Sequence, residues 1–453
     1  MSNLLSLLSL GSGGIAAQNT GIAVATNNVA NANTVGFSRQ RVDLESLLAA
    51  PLVGGVRSGT PDRLQDNLLA GRIRSSAGAL SGSRTFAETV LDVESRIGSG
   101  PTVHEQLGEL FSRISQVSAS PTDTTMRSAV VSAARELTVG IHSRAAELAA
   151  ASKELDTRVL ENAGTANGLI KRLADTNTAV ARTNDPVLRD ERERLATQLS
   201  ELVGGAARID ADGQMRFVLD DGAVLVDAGR AATLVGTPDA TTGTMHVEVV
   251  DGAIRRDVTT AITEGRIGAQ LAARDGTIAR AVAELDQLAF DVGEQFNTVY
   301  SANAGLDGVS GRTMFVPSAG PLGAAAALAL DPGLDADSTQ LALADPASGP
   351  GDNRGALGLL ALSSAPVAAG GKTLTGAALD IVSSIGAQAS EAKTAVSRDE
   401  LVAENLAGLR DSLAGVDVQE ELTNLARFEH ASSAMTRFVS TIDNLLGDLI
   451  DRL

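Results

Sequence analysis

The chain has 453 residues, with 55 acidic against 37 basic side chains and a formal net charge of −18. Apolar residues make up 43% and aromatics only 2%, enough to build hydrophobic cores but poor material for a nucleic-acid surface, which needs clustered Lys and Arg and stacking rings. The acidic balance also opposes anionic membranes, and the lack of cysteine removes disulfides, thiolate metal sites and cysteine nucleophiles.

No charged residue occurs before Arg39. The leucine-rich start, Leu4 to Leu10, lacks the basic region of a secretory leader and soon meets Gly11, Ser12, Gly13 and Gly14; no cleaved leader is expected. No apolar run approaches the length of a membrane-spanning helix, so no membrane insertion is expected. A heptad register nevertheless runs through this segment. Met1, Leu8, Ile15, Ile22 and Val29 fall in one column, and Leu4, Gly11, Gln18, Ala25 and Ala32 in the other. The result is a helix with a narrow apolar seam and an uncharged polar remainder, too weak to stand alone and suited to being covered by other helices.

Residues 83–202 read as long helices broken near Pro121 and Pro186. Residues 206–261 change period to short alternating runs separated by Asp-Gly turns, which predicts a β-rich unit. Helix resumes over 262–300, a Gly/Ala/Pro/Asp-rich stretch follows to about 358, and helices run from about 372 to the end. The last of these carries a second seam, Leu425, Phe428, Ser432, Met435, Val439, Ile442, Leu446, Leu449 and Leu453, at alternating spacings of 3 and 4. Two seamed helices at opposite ends invite pairing; an amphipathic helix packed on an ordinary core is the alternative.

The expected fold is mainly α with an inserted β-rich domain, a long helical bundle in the middle and terminal helices paired as a coiled coil. The expected division is residues 1–60 and 395–453 for the two halves of that coiled coil, and 61–205 for a helical domain. The β insert then takes 206–261, a returning helix 262–300, a short outer or irregular segment 301–365, and the return of the helical domain 366–394.

Motifs for small-molecule chemistry fare badly. Gly11, Gly13 and Ala16 match a loose dinucleotide fingerprint, but no strand precedes them and no acidic residue occurs before Asp43. Gly371-Lys372-Thr373 resembles the end of a phosphate loop, yet Pro366 stands where its first glycine belongs. Asp210-Ala211-Asp212-Gly213 lacks the later ligands of a calcium loop and fits a hairpin turn. Histidines 104, 142, 246 and 430 have no metal-site spacing. The mixed charges Asp190 to Arg194 read as a solvated helix face. No enzyme activity, cofactor or metal is expected.

The string Asn27-Asn28-Val29-Ala30-Asn31-Ala32-Asn33-Thr34-Val35-Gly36-Phe37-Ser38-Arg39 resembles the signature of the bacterial flagellar axial family of rod, hook and hook-associated proteins. It suits a helix end, since Asn and Gly tolerate the left-handed conformation and Arg39 is placed near the closing carbonyls. Gly415 to Phe428, Val439 to Leu446, Gly351-Asp352-Asn353-Arg354, Asp190 to Leu195 and Gly265 to Ala269 extend the resemblance along nearly the whole chain. They make it most similar to the hook-associated members at the hook–filament junction. Two departures stand out: Ser432 where the family usually has Tyr, and a short stretch from Phe315 to Gly349 where many members carry an outer β domain.

The resemblance implies a structural subunit that forms a ring with copies of itself between the hook protein and a second hook-associated protein. It implies export by the flagellar type III apparatus, the route shared with the filament cap and flagellin, to an extracellular position, with a dedicated chaperone on the C-terminal helix. It also implies terminal helices that order on assembly. By the same resemblance Asn28, Asn31, Asn33, Gly36, Phe37, Arg39, Asn424 and Arg427 are motif residues, and the seam positions Leu8, Ile15, Ile22, Val29, Leu425, Phe428, Met435, Val439, Ile442, Leu446 and Leu449 carry assembly. A hook or distal-rod protein is the alternative within the family, and a nucleotide-binding enzyme the remote one.

Overall fold

The computed structural model describes residues 2–34, 36–47, 55–183 and 185–451, with the side chains of residues 2, 3, 47 and 449 excepted. Met1, Leu453 and the side chain of Leu449, all placed in the expected seams, lie outside the described residues.

The chain opens with helix α1 (Ser2–Asn31) and two small antiparallel ladders, β1 (Gln40–Arg41) with β4 (Asp62–Arg63), and β2 (Leu44–Leu47) with β3 (Gly55–Ser58). Strand β3 lies against α1, so residues 1–60 hold a sheet element that the helical reading did not expect. Asp66 caps α2 (Asn67–Gly98) through the Leu68 and Leu69 amides. Thr102 and Glu105 close a capping box on α3 (Val103–Ser118). Helix α4 (Thr124–Thr183) runs for 60 residues, roughly 90 Å at 1.5 Å per residue. Pro121 lies in the break before α4. Asp185 and Pro186 cap and start α5 (Pro186–Val203).

The β insert consists of two antiparallel sheets. One contains β5 (Ala206–Ile209), β6 (Met215–Val218), β7 (Val224–Asp227) and β8 (Arg230–Ala231) in order. The other has β10 (Met245–Asp251) between β9 (Thr233–Pro238) and β11 (Ile254–Asp257). Asp210 ends the first strand by accepting from the Asp212 and Gln214 amides, so its carboxylate serves a hairpin turn. The returning helix is α6 (Gly265–Ala272), a π turn (Ala273–Ile278) and α7 (Ala279–Ser301).

Short helices α8 (Ala324–Ala327), α9 (Pro332–Ala336) and α10 (Arg354–Ala361) then precede α11 (Leu374–Ala414) and α12 (Val418–Asp451). Helix α11 is continuous from Leu374 to Ala414, so the break before the C-terminal helix falls at Gly415–Asp417, whereas the C-terminal half of the coiled coil was expected to begin at 395. Nothing in the sequence between 390 and 400 breaks a helix.

Two hydrophobic cores form the body. The first joins the second half of α2, α3, the first half of α4, α7, α10 and the start of α11. The second joins the rest of α4, α5, α6 and the sheets. Met314, Phe315, Leu341 and Leu343 of the stretch expected to be outer and irregular are fully buried in the first core. Side chains rather than periodicity hold that stretch. The Asn297 carboxamide pairs with both the amide (2.9 Å) and carbonyl (2.8 Å) of Phe315. The buried Arg127 donates to the Pro121 and Leu341 carbonyls, and the Tyr300 hydroxyl to that of Gln340. Among the described residues, helices α1 and α12 contribute to neither core.

Candidate functional site: the terminal helix pair and its root

Helices α1 and α12 pack antiparallel, Gly11 opposite Val439, Gly14 opposite Met435, Gly21 opposite Phe428 and Asn28 opposite Glu421. The buried residues of α1 are Gly11, Gly14, Ala17, Gly21, Val24, Ala25 and Asn28, of which Gly11, Gly14, Gly21 and Asn28 meet α12 directly. This corrects the expected seam. Leu8, Ile15, Ile22 and Val29 flank the contact and stay half-buried, because small residues let the two backbones approach more closely than branched ones allow. A Cβ at Gly21 would stand 2.8 Å from the Phe428 ring, and one at Gly14 3.3 Å from the Met435 sulfur. The two glycines that mimic a dinucleotide loop are therefore interior helix positions: Gly11 forms a notch for Val439, while a Cβ at Gly13 would meet only the Val56 carbonyl, at 3.8 Å.

On α12 the expected column fares differently. Leu425, Phe428, Ser432, Met435, Val439 and Leu446 are half-buried along the α1 side and Ile442 is buried. The Ser432 hydroxyl lies 3.4 Å from the Asn19 side chain.

At its root the pair meets a knot of polar residues. The Asn28 carboxamide, fully buried, accepts from the Gln40 amide at 2.9 Å, donates to the Gln40 carbonyl at 2.8 Å and donates to Glu421 at 3.1 Å. Arg39 reaches both Glu420 and Glu421, at 2.6 and 2.7 Å. That contact holds the Glu420 carboxyl below the ordinary glutamate range and raises the Arg39 guanidinium further. Each of residues 37–40 is tied to a different partner. The Phe37 carbonyl accepts from Arg410 on α11, and the Ser38 amide faces Asp190 on α5 at 3.4 Å. The Arg39 amide donates to the Ala414 carbonyl at 3.0 Å, and Gln40 pairs with Arg63 across β1 and β4. Arg63, almost fully buried, in turn binds Asp190 at 2.7 Å, while Arg74 pairs with Glu193.

The motif residues thus separate by role. Asn28 and Arg39 form the root, and Gly36 supplies a backbone φ of +89° at the turn, a conformation that favours glycine. Phe37 contributes its carbonyl. Asn31 bonds back to Asn27 within α1. Asn33 and Arg427 are exposed and Asn424 half-buried; none of these three joins the knot. Sequence reasoning gave no site role to Gly14, Gly21, Glu421 or Arg63, and read Asp190 as part of a solvated helix face. The small-residue spacing 11, 14, 17, 21, 24/25, 28 was a signal for the first two.

Among the described residues no three His, Asp or Glu side chains cluster as metal ligands, and no helix is long and apolar enough to cross a membrane.

The comparisons agree with this architecture. Residues 92–315 match the family model for the helical domain of flagellar hook-associated protein FlgK. The chain is 24% identical to flagellar hook-associated protein 1 of Bacillus subtilis, with 96% of each chain covered. It is 22% identical to flagellar hook-associated protein 1 of Escherichia coli, over 98% of this chain and 99% of the other. The solved structure of the flagellar hook junction protein FlgK from Burkholderia pseudomallei superposes with a TM-score of 0.69 at 14% identity, covering 76% of this chain and all of that one.

Proposed function

The chain belongs to the FlgK family of flagellar hook-associated proteins, and we propose on that footing that it serves as a structural subunit of the hook–filament junction, assembled through its terminal helix pair. One observation carries the assembly reading. Helix α1 has no charged side chain, and the face it turns away from α12 (Ser9, Ser12, Ala16, Ala23, Thr26, Ala30) is exposed and small, recurring at helical intervals. A lone solvated helix normally carries Lys and Glu there; a face of this kind suits close packing against the helices of neighbouring copies.

In this reading the seam residues Phe428, Met435, Val439 and Ile442, with the glycine notches, hold each subunit's own pair together, and the outward face of α1 meets the next copy in a ring. The hook protein and a second hook-associated protein are its axial neighbours. The protein reaches this extracellular position through the flagellar export apparatus, and an export chaperone takes the C-terminal helix beforehand. Its role is structural and not catalytic: the fingerprint residues Gly11, Gly13 and Ala16 lie within the continuous helix α1 and form no loop.

The test is electron microscopy of cells lacking the gene, with an assay of flagellin in the medium. Complete hooks without filaments, with flagellin released, are expected. Absent or truncated hooks would move the protein to the hook or rod, and normal filaments would defeat the assignment altogether.

A further inference from the structure

Three helical asparagines of the body hold extended chain in the same way. Asn167 and Asn177 on α4 and Asn297 on α7 each bond the carboxamide to both the amide and the carbonyl of one residue. Their targets are Leu234, Met215 and Phe315 respectively. At Asn167 the Leu234 amide donates to Oδ1 at 2.7 Å, and Nδ2 donates to the Leu234 carbonyl at 2.8 Å. Leu234 lies on β9 and is buried in the second core, so this clamp fastens the β insert to α4.

Asn167 differs from the other two in its neighbour. Gly168 follows it, making the single Asn-Gly pair in the chain, whereas Thr178 and Thr298 follow Asn177 and Asn297. A glycine has no side chain to hinder its own backbone nitrogen or to restrict its backbone. In an Asn-Gly pair that nitrogen gives up its proton to base and attacks the asparagine Cγ. The Cγ–Nδ2 bond breaks and ammonia leaves. The succinimide so formed takes up water at either carbonyl, leaving aspartate or isoaspartate. The folded chain opposes this at both ends. Gly168 lies deep in the continuous helix α4, where its amide belongs to the helix ladder, and the Asn167 carboxamide is held by Leu234.

We propose that Asn167 is a deamidation site governed by folding: protected in the native chain, converted while the chain stays unfolded, and once converted unable to refasten β9 to α4. Aspartate keeps the acceptor but has no donor for the Leu234 carbonyl and sets an anionic oxygen beside it. Isoaspartate adds a methylene to the α4 backbone and interrupts the ladder. Time spent unfolded is thereby recorded at the residue that secures the insert. This holds wherever the chain is placed in the flagellum.

The full chain would be held in mildly alkaline buffer, either folded or in guanidinium chloride, and Asn167 followed by peptide mapping in a mass spectrometer. Conversion at 167 is expected in denaturant. In the folded sample it should run at least about a hundredfold slower, the suppression that about 2.7 kcal/mol of local opening gives at 1.36 kcal/mol per tenfold. Gly168→Ala, which leaves the clamp in place, is expected to suppress conversion in denaturant. After refolding, the converted chain should lose hydrogen-exchange protection over β9, and freshly made Asn167→Asp should lose it too. Equal rates in the folded and denatured samples overturn the proposal, a result that needs no variant to fold. So does conversion in denaturant that falls on other asparagines and spares 167. Native protection of β9 in both the converted chain and Asn167→Asp overturns it as well, because the clamp would then not need its donor.

Discussion

Asn28 and Glu421, 393 positions apart, share a 3.1 Å hydrogen bond in which the buried carboxamide also saturates the amide and carbonyl of Gln40. One side chain thereby fixes α1, β1 and α12 at a common point. Asn28→Leu strands the Gln40 backbone and removes a donor from Glu421, an effect worth about 1–3 kcal/mol for buried groups left unpaired. The loss is expected to be local. Hydrogen exchange should accelerate over 2–31 and 418–451 while both cores stay protected; uniform acceleration would show that the root holds up the whole molecule.

The glycine notches set two physical effects against each other. Gly21→Ala improves helix propensity by about 1 kcal/mol, but its Cβ meets the Phe428 ring at 2.8 Å, and overpacking of this kind costs about 1–3 kcal/mol. The pair is expected to weaken, and Phe428→Leu in the same chain to restore it. Gly168→Ala on α4, exposed with open space around it, should have the opposite sign. Stabilisation by both alanines in thermal melts and exchange of the terminal helices would refute the notch reading.

Much of the fold was legible in the sequence, for identifiable reasons. Pro121 and Pro186 mark helix breaks because proline cannot continue a helix, and Asp-Gly turns marked the β insert because its strands are short hairpins. The α1 seam was misplaced by counting large apolar side chains, whereas close helix approach selects small ones. The stretch around Phe315 read as irregular because Asn297, Arg127 and Tyr300 hold it by bonds to backbone, which leave no period behind. The π turn at Ala273–Ile278 was invisible for a related reason: helical periodicity tolerates one extra residue without announcing it. At the root, Asn28 and Arg39 stood out through the motif, but Asp190 read as part of a solvated helix face and no pattern singled out Arg63, because their partners are distant in sequence.

Acid should loosen the root before the body. The Glu420 carboxyl is held below its ordinary value by Arg39, so its contribution is fully present above the unfolded value near 4.5 and is lost as pH falls through the lower folded value. Exchange measured from pH 6 downward is expected to show the first turn of α12 losing protection below about 4.5, a trend tied to the carboxylate's reference range. Glu420→Gln should flatten this dependence. An unchanged profile in that variant would assign the acid response to another group.

Phe315 tests whether the stretch after α7 belongs to the core. Its ring packs edge-on to Phe296 at 5.8 Å between centroids, and Phe296 stacks on Phe111 at 5.7 Å. All three are buried. Phe315→Ala is expected to cost about 3–5 kcal/mol, the range for emptying a buried aromatic site, read as a lowered midpoint in denaturant. A loss under about 1 kcal/mol, within the range of surface substitutions, would make the stretch a loosely attached cover.

Tyr300 offers a native reporter of the same core, being the chain's single tyrosine. Burial pushes its phenol up to about 12, and its hydroxyl donates to the Gln340 carbonyl at 2.9 Å. Because the folded value lies above the unfolded value of 10.0, the neutral ring contributes stability that is complete below pH 10 and disappears as pH climbs toward 12. Ultraviolet titration of the folded chain should therefore show no phenolate absorbance through the range in which the denatured chain titrates around pH 10. Ionisation near 10 in the native state would mean that water reaches the Tyr300 ring and that the stretch around Gln340 does not close over it.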